Sequence, residues 1–141
     1  MSSPKKMRAL IEQVEQATGP DRELDAAITR LVSIPADAEE VRWSPRGEMR
    51  ELRGRVFDGG GWGDEWWEVP TYTASLDAAV SLVPSGWGWA IKAKMEGAEF
   101  SSSCWNYLTG HGPSTLGATP ALALVAAALR ARLAREAGDA E

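Results

Sequence analysis

The chain has 141 residues, 44% apolar and 25% charged, which supports one folded domain and leaves too little length for two. Twenty acidic against fifteen basic residues give a net charge of −5, which argues against electrostatic wrapping of nucleic acid. No run reaches the 18 or so apolar residues of a membrane span, and the opening Met1-Ser2-Ser3-Pro4-Lys5-Lys6 leads into an amphipathic segment rather than a signal sequence, so a cytoplasmic protein is expected.

The first third reads as two helices. Ser3-Pro4 is a plausible cap and first-turn pair, after which Met7, Leu10, Ile11 and Val14 recur at i, i+3, i+4 and i+7. Gly19 stops this helix and Pro20 opens the next, with Asp21 and Glu23 in its first turn, where the helix dipole favours negative charge. Leu24, Ala27, Ile28 and Leu31 form its stripe, and Ile34-Pro35 ends it.

From about residue 36 to residue 69 the periodicity fails and the composition turns to Arg, Glu, Gly and Trp. A loop this long inside one domain is usually functional or disordered, so the stretch reads as an insertion carried by the domain that spans 1–141. The piece from Met49 to Phe57 has the look of a weak strand. Gly59, Gly60, Gly61 and Gly63 then surround Trp62 and precede Trp66 and Trp67, three large rings in a flexible setting.

Order returns at Thr71. Ser75 caps a short helix with Leu76, Ala79, Val80 and Val83 on one side, and Pro84-Ser85-Gly86 turns the chain. From Trp87 to Met95, large and small residues alternate with the period of a strand, placing Trp87 and Trp89 in the core. A turn at Glu96-Gly97 returns the chain from Ala98 to Tyr107 as an antiparallel partner. After a polar loop with Gly110, Gly112, Pro113 and Gly117, Thr119-Pro120 starts an Ala-rich helix striped with Leu122, Val125, Leu129 and Leu133, which Gly138 stops. The fold class expected is α+β, an antiparallel sheet flanked by helices in an α-β-α sandwich.

Chemistry has few candidates. Cys104 and His111 are the one thiol and imidazole, yet a cysteine in a strand is most often a small buried hydrophobe, and no motif surrounds either residue. Ser101, Ser102 and Ser103 lack a nucleophile elbow, and the Gly59 to Gly63 run lacks the lysine of a phosphate loop. No catalytic residues, metal site or cofactor are therefore expected, and the protein is read as a non-enzyme. Binding is better supplied: Trp62, Trp66 and Trp67, with Arg50, Arg53 and Arg55 beside them, have the composition of an interface, and a Trp ring can also stack on a base. The same rings can instead fold back as a lid over the core, and the cluster of Arg42, Arg46, Arg50, Arg53 and Arg55 can meet phosphates or, interleaved with Glu48 and Glu51, form a solvated salt-bridged face, which the negative net charge favours.

Two segments carry a resemblance. Pro70-Thr71-Tyr72-Thr73-Ala74-Ser75-Leu76-Asp77-Ala78-Ala79-Val80-Ser81-Leu82-Val83-Pro84, followed by Trp87, and Gly117-Ala118-Thr119-Pro120-Ala121-Leu122-Ala123-Leu124 with the alanines after it, resemble the phage ABA sandwich domain. Leu24-Asp25-Ala26-Ala27-Ile28 resembles that family's opening helix, so the likeness spans about 20–33 and 70–136. The resemblance implies helices on both sides of a sheet, a phage or prophage origin and a site inside a bacterial host, and it implies no activity. The reading is of an accessory protein that binds a host protein, countering host defence being one such role, with a small-molecule or nucleotide-sequestering module as the alternative. The exposed tryptophans also suggest a homo-oligomer.

Overall fold

A computed structural model describes residues 4–32, 40–46, 49–55, 66–93 and 99–139, and for 40–46, 49–55, 66–68 and 137–139 the backbone alone. In chain order these form α1 (Pro4–Gln16), α2 (Arg22–Val32), β1 (Glu40–Arg46), β2 (Met49–Arg55), β3 (Trp66–Glu68), α3 (Leu76–Val80), β4 (Trp87–Ala93), β5 (Phe100–Asn106), β6 (Ser114–Gly117) and α4 (Pro120–Asp139). The result is a small single-domain α+β fold in which helices pack on an antiparallel sheet of order β4-β5-β6. The strands β1, β2 and β3 make a second antiparallel sheet in that order. Ser3, Ile34, Pro35, Val56, Phe57, Met95, Ala98 and the expected turn at Glu96-Gly97 lie outside the described residues.

α4 is the centre. Ala121 to Leu129 and Ala131 are all buried, so the helix has no wet side over about two and a half turns, as expected of a segment that is apolar all round. The expected stripe of Leu122, Val125, Leu129 and Leu133 is therefore only part of the buried surface, because the intervening alanines are covered as well. Strands β4, β5 and β6 pack against α4, and so do α1 and α3. Alanines let neighbours approach closely, and Gly117 completes that approach: a Cβ there would stand 2.5 Å from the Ala123 nitrogen. Thr119 caps the helix, its hydroxyl accepting from the Leu122 amide at 3.1 Å, and the helix continues past Gly138 to Asp139 instead of stopping there.

The predicted face of α1 is the one that packs: Met7, Leu10, Ile11 and Val14 are buried. Arg130 reaches across from α4 to Glu15, with Nε at 2.8 Å and one terminal nitrogen at 2.6 Å from the same carboxylate oxygen. α2 begins two residues later than expected, at Arg22. Asp21 is its N-cap and not a first-turn residue, its carboxylate accepting from the Glu23 and Leu24 amides at 2.8 and 3.2 Å, and Pro20 stands ahead of the helix.

The hairpin of β4 and β5 falls where alternation predicts it, and its register runs from Trp87↔Asn106 to Ala93↔Phe100. Trp87 and Ile91 pack on the core, but Trp89 is 39% exposed. The physical reason is position: β4 is the outermost strand and α4 sits chiefly over β5 and β6. The third strand, β6, lies within what reads as a polar loop.

A buried polar clasp joins α2 to the segment before α3. The Asp25 carboxylate, fully buried, accepts from the Thr73 amide and hydroxyl, both at 2.8 Å, and from Arg22 at 3.0 Å. Arg22 donates onward to the carbonyls of Val69 and Pro70 at 3.0 and 3.3 Å. Removing one partner leaves the others buried and unsatisfied, which costs more than the hydrogen bonds gain. Asp25→Ala is expected to destabilise the fold by about 3 kcal/mol in urea unfolding, while Glu15→Ala, which removes a partly exposed ion pair, should cost no more than about 1 kcal/mol.

Candidate functional site

The six residues singled out for binding are distributed by the register of the second sheet. Directly opposed residues of an antiparallel ladder share a face, and neighbours along a strand alternate. The register pairs Arg42 with Arg53 and Arg53 with Trp66, so these three form one cross-strand row. Arg55, paired with Glu40, lies two residues along β2 and shares that face, as does the row of Ser44, Glu51 and Glu68. The other face carries the row Trp43, Leu52 and Trp67, with Val41, Pro45 and Arg50 beside it.

Arg53, Arg55 and Trp66 are therefore brought together, whereas Arg50 and Trp67 belong to the opposite face. Trp62 lies outside the described residues. Trp66 and Trp67 occupy a short strand and not a loop, and being consecutive they take opposite faces. Sequence reasoning counted Arg42 in the Arg42 to Arg55 cluster without its strand partners and missed Trp43, the β1 members of the two rows. The signal that could have found them is the alternation of Val41, Trp43 and Pro45 with Arg42, Ser44 and Arg46, which has the period of a strand.

The sheet is two-sided: one face is charged with a tryptophan in it, and the other is mostly apolar. It meets the remainder of the described structure through β2 and α2. The clasp just beyond the small sheet, where Arg22 holds the Val69 and Pro70 carbonyls immediately after β3, fixes where the sheet's last strand joins the core.

The candidates for catalysis are placed apart from any such surface. Cys104 is buried in β5, and burial pushes its thiol up to about 11, so it is protonated at neutral pH and has no thiolate to offer. His111 stands exposed in the β5 to β6 loop, where its amide bonds to the Thr109 hydroxyl at 3.2 Å and its carbonyl accepts from the Asn106 amide at 3.0 Å. The loop's close return onto β5 needs Gly112, since a Cβ there would fall 1.8 Å from the Cys104 carbonyl oxygen. Of the serines, Ser102 is buried and donates to the Ala90 carbonyl at 3.0 Å, while Ser101 and Ser103 lie on the other face. Tyr72 is buried, and burial, with Arg135 beside it, lowers the nearby Arg132 guanidinium from its ordinary value. Arg132 Nε also donates to the Leu82 carbonyl at 2.6 Å.

Among the described residues, no group of three or more His, Cys, Asp or Glu is placed to hold a metal ion, and no helix is long and apolar enough to cross a membrane. No protein-family model, curated protein or solved structure matches the chain.

The Cys104 thiol ionises near 9 when freed by unfolding and at about 11 in the fold, so the native state holds the proton more tightly. Its contribution is whole below pH 9 and is lost as the pH rises towards 11. Melting temperatures taken across that range should fall more steeply for the wild type than for Cys104→Ala. A thiol reagent at pH 8 should label Cys104 only after denaturant is added; prompt labelling of the native protein would contradict the placement.

Proposed function

We propose that this is a non-enzymatic accessory protein of a phage or prophage that binds a host protein, plausibly to counter a host defence, and that the β1-β2-β3 sheet carries the contact. The observation that supports this reading is the row Arg42, Arg53 and Trp66, with Arg55 on the same face. Tryptophan and arginine are the residue types in which interface energy concentrates, and a strand surface presents them at fixed spacing. The core does not use this face as its centre, since α4 is enclosed by other elements. The phage origin rests on the likeness of 20–33 and 70–136 to the phage ABA sandwich domain.

The same row supports a second reading, in which the protein sequesters a nucleotide or a similar small ligand. A residue type that stacks on bases stands one register position from one that binds phosphate. Calorimetry of the isolated protein against cyclic and linear nucleotides separates the two, because saturable binding without a protein partner belongs to the second alone.

Affinity capture from host lysate tests the first. Trp66→Ala and Arg53→Glu should each abolish recovery of a co-purifying protein, as expected for losses of about 2 kcal/mol or more at an aromatic and charged hot spot. Arg50→Glu, on the opposite face, should leave it in place. Unfolding free energies should stay within about 1 kcal/mol of wild type. If Trp66→Ala instead lowers stability sharply and leaves capture unchanged, the ring belongs to the core and the contact lies elsewhere.

A further inference from the structure

Strand β4 is an edge of the main sheet, and among the described residues no strand pairs with its outer side along Trp87–Ala93, where the Trp87 amide alone is taken, by the Pro84 carbonyl at 3.1 Å. An edge of this length is a template for another strand, and folds blunt such edges with prolines, short strands or bulges. The other edges here are blunted: β1 contains Pro45, β3 and β6 have three and four residues, and β6 packs against α4 and α1. β4 has none of these protections except Lys92 near its end.

The direction of its free hydrogen-bonding groups follows from the ladder. The Tyr107 amide donates to the Gly86 carbonyl, continuing the register one step beyond Trp87↔Asn106, so Gly86 and Tyr107 form a hydrogen-bonded pair. Hydrogen-bonded and non-hydrogen-bonded pairs alternate, so Gly88, Ala90 and Lys92 direct their backbone groups at β5 while Trp89, Ile91 and Ala93 direct theirs outward. The other side of β5 agrees, because the amides of Cys104 and Asn106 donate to the carbonyls of Pro113 and His111.

We propose that β4 pairs with β4 of a second copy of this chain, antiparallel about a two-fold axis at Ala90, joining two three-stranded sheets into one of six strands. Only outward-directed residues can form the hydrogen-bonded pairs, and the register centred on Ala90 pairs Trp89 with Ile91 in full and Trp87 with Ala93 through the Trp87 carbonyl, since the Trp87 amide is held by Pro84. The pairs are complementary. Large residues meet smaller ones, the two Ala90 residues meet at the axis, and Lys92 falls opposite Gly88, so no like charges oppose each other. Two exposed features gain a role. Trp89, 39% exposed on the face where its cross-strand neighbour Cys104 is wholly buried, is covered by the second copy. On the opposite face the Trp105 ring lies across Gly88, so close that a Cβ there would be 2.7 Å from it, and Lys92 of the second copy arrives beside that ring as a cation beside an aromatic.

Sedimentation equilibrium of the full chain should give twice the monomer mass. Trp89→Pro should return it to the monomer mass with the fold kept by circular dichroism, because the amide lost at position 89 points away from β5. Should that variant fail to fold, Ala90→Cys decides: mild oxidation should cross-link it across the axis, while Lys92→Cys, whose two copies would lie about 13 Å apart along the strands, should not cross-link. The wild type is the background control, since Cys104 is buried. A monomer at all concentrations, a dimer indifferent to Trp89→Pro, or cross-linking at 92 without cross-linking at 90 would overturn the proposal.

Discussion

A helix whose first half has no wet side can exist only if the remaining chain encloses that half, and this fold is organised around that constraint. Nine consecutive residues of α4, from Ala121 to Leu129, are buried, and five of them are alanine. Small side chains contribute little apolar area each, so the helix gains by letting neighbours come close and not by filling space with bulk. The residues around it suit that geometry. Gly117 admits the first turn, and the Thr115 hydroxyl, buried in β6, donates to the Ala123 carbonyl at 2.9 Å across the same narrow gap.

The second constraint is the clasp of Asp25, Thr73 and Arg22, which holds the start of α2 against the residues leading into α3. Both sides of the clasp lie in the motif-bearing segments 20–33 and 70–84, and apart from the buried Arg22 Nε its groups bond to one another and to the backbone. Those motif residues therefore have a structural account: a buried carboxylate with its partners, a cap at Ser75 and a cap at Thr119. The residues without such an account are the arginines and tryptophans of the small sheet.

Legibility in the sequence follows the strength of the local signal. The helices α1 and α4 and the hairpin of β4 and β5 carry long apolar periodicities, and the Ser75 and Thr119 caps are chemical signals read directly. β6 was hidden because its four residues sit among glycines and proline and owe their place to pairing with β5. β1 alternates regularly but holds Pro45, which argues against a strand, and β3 was hidden because it has three residues and opens on two adjacent tryptophans that show no alternation. The clasp was unreadable for a different reason, since Asp25 in a helix looks like a solvated charge until Thr73, 48 residues away, supplies its donors. Trp89 read as core because alternation predicts a face and says nothing of how far a covering helix extends. At the candidate site the residue types were legible, but which of them share a face depended on a register that composition does not encode.

The account divides the chain into a core built on α4 and a small sheet that the core carries. Native-state hydrogen exchange under increasing denaturant tests that division directly, because elements that open separately exchange with separate free energies. The amides of Leu122 to Leu129 should exchange only through global unfolding, with a free energy equal to that measured by equilibrium denaturation, while the β1 to β2 ladder should exchange through a smaller opening of lower free energy. A β1 to β2 ladder that exchanges with the same free energy and denaturant dependence as α4 would make the small sheet part of the core and contradict the account.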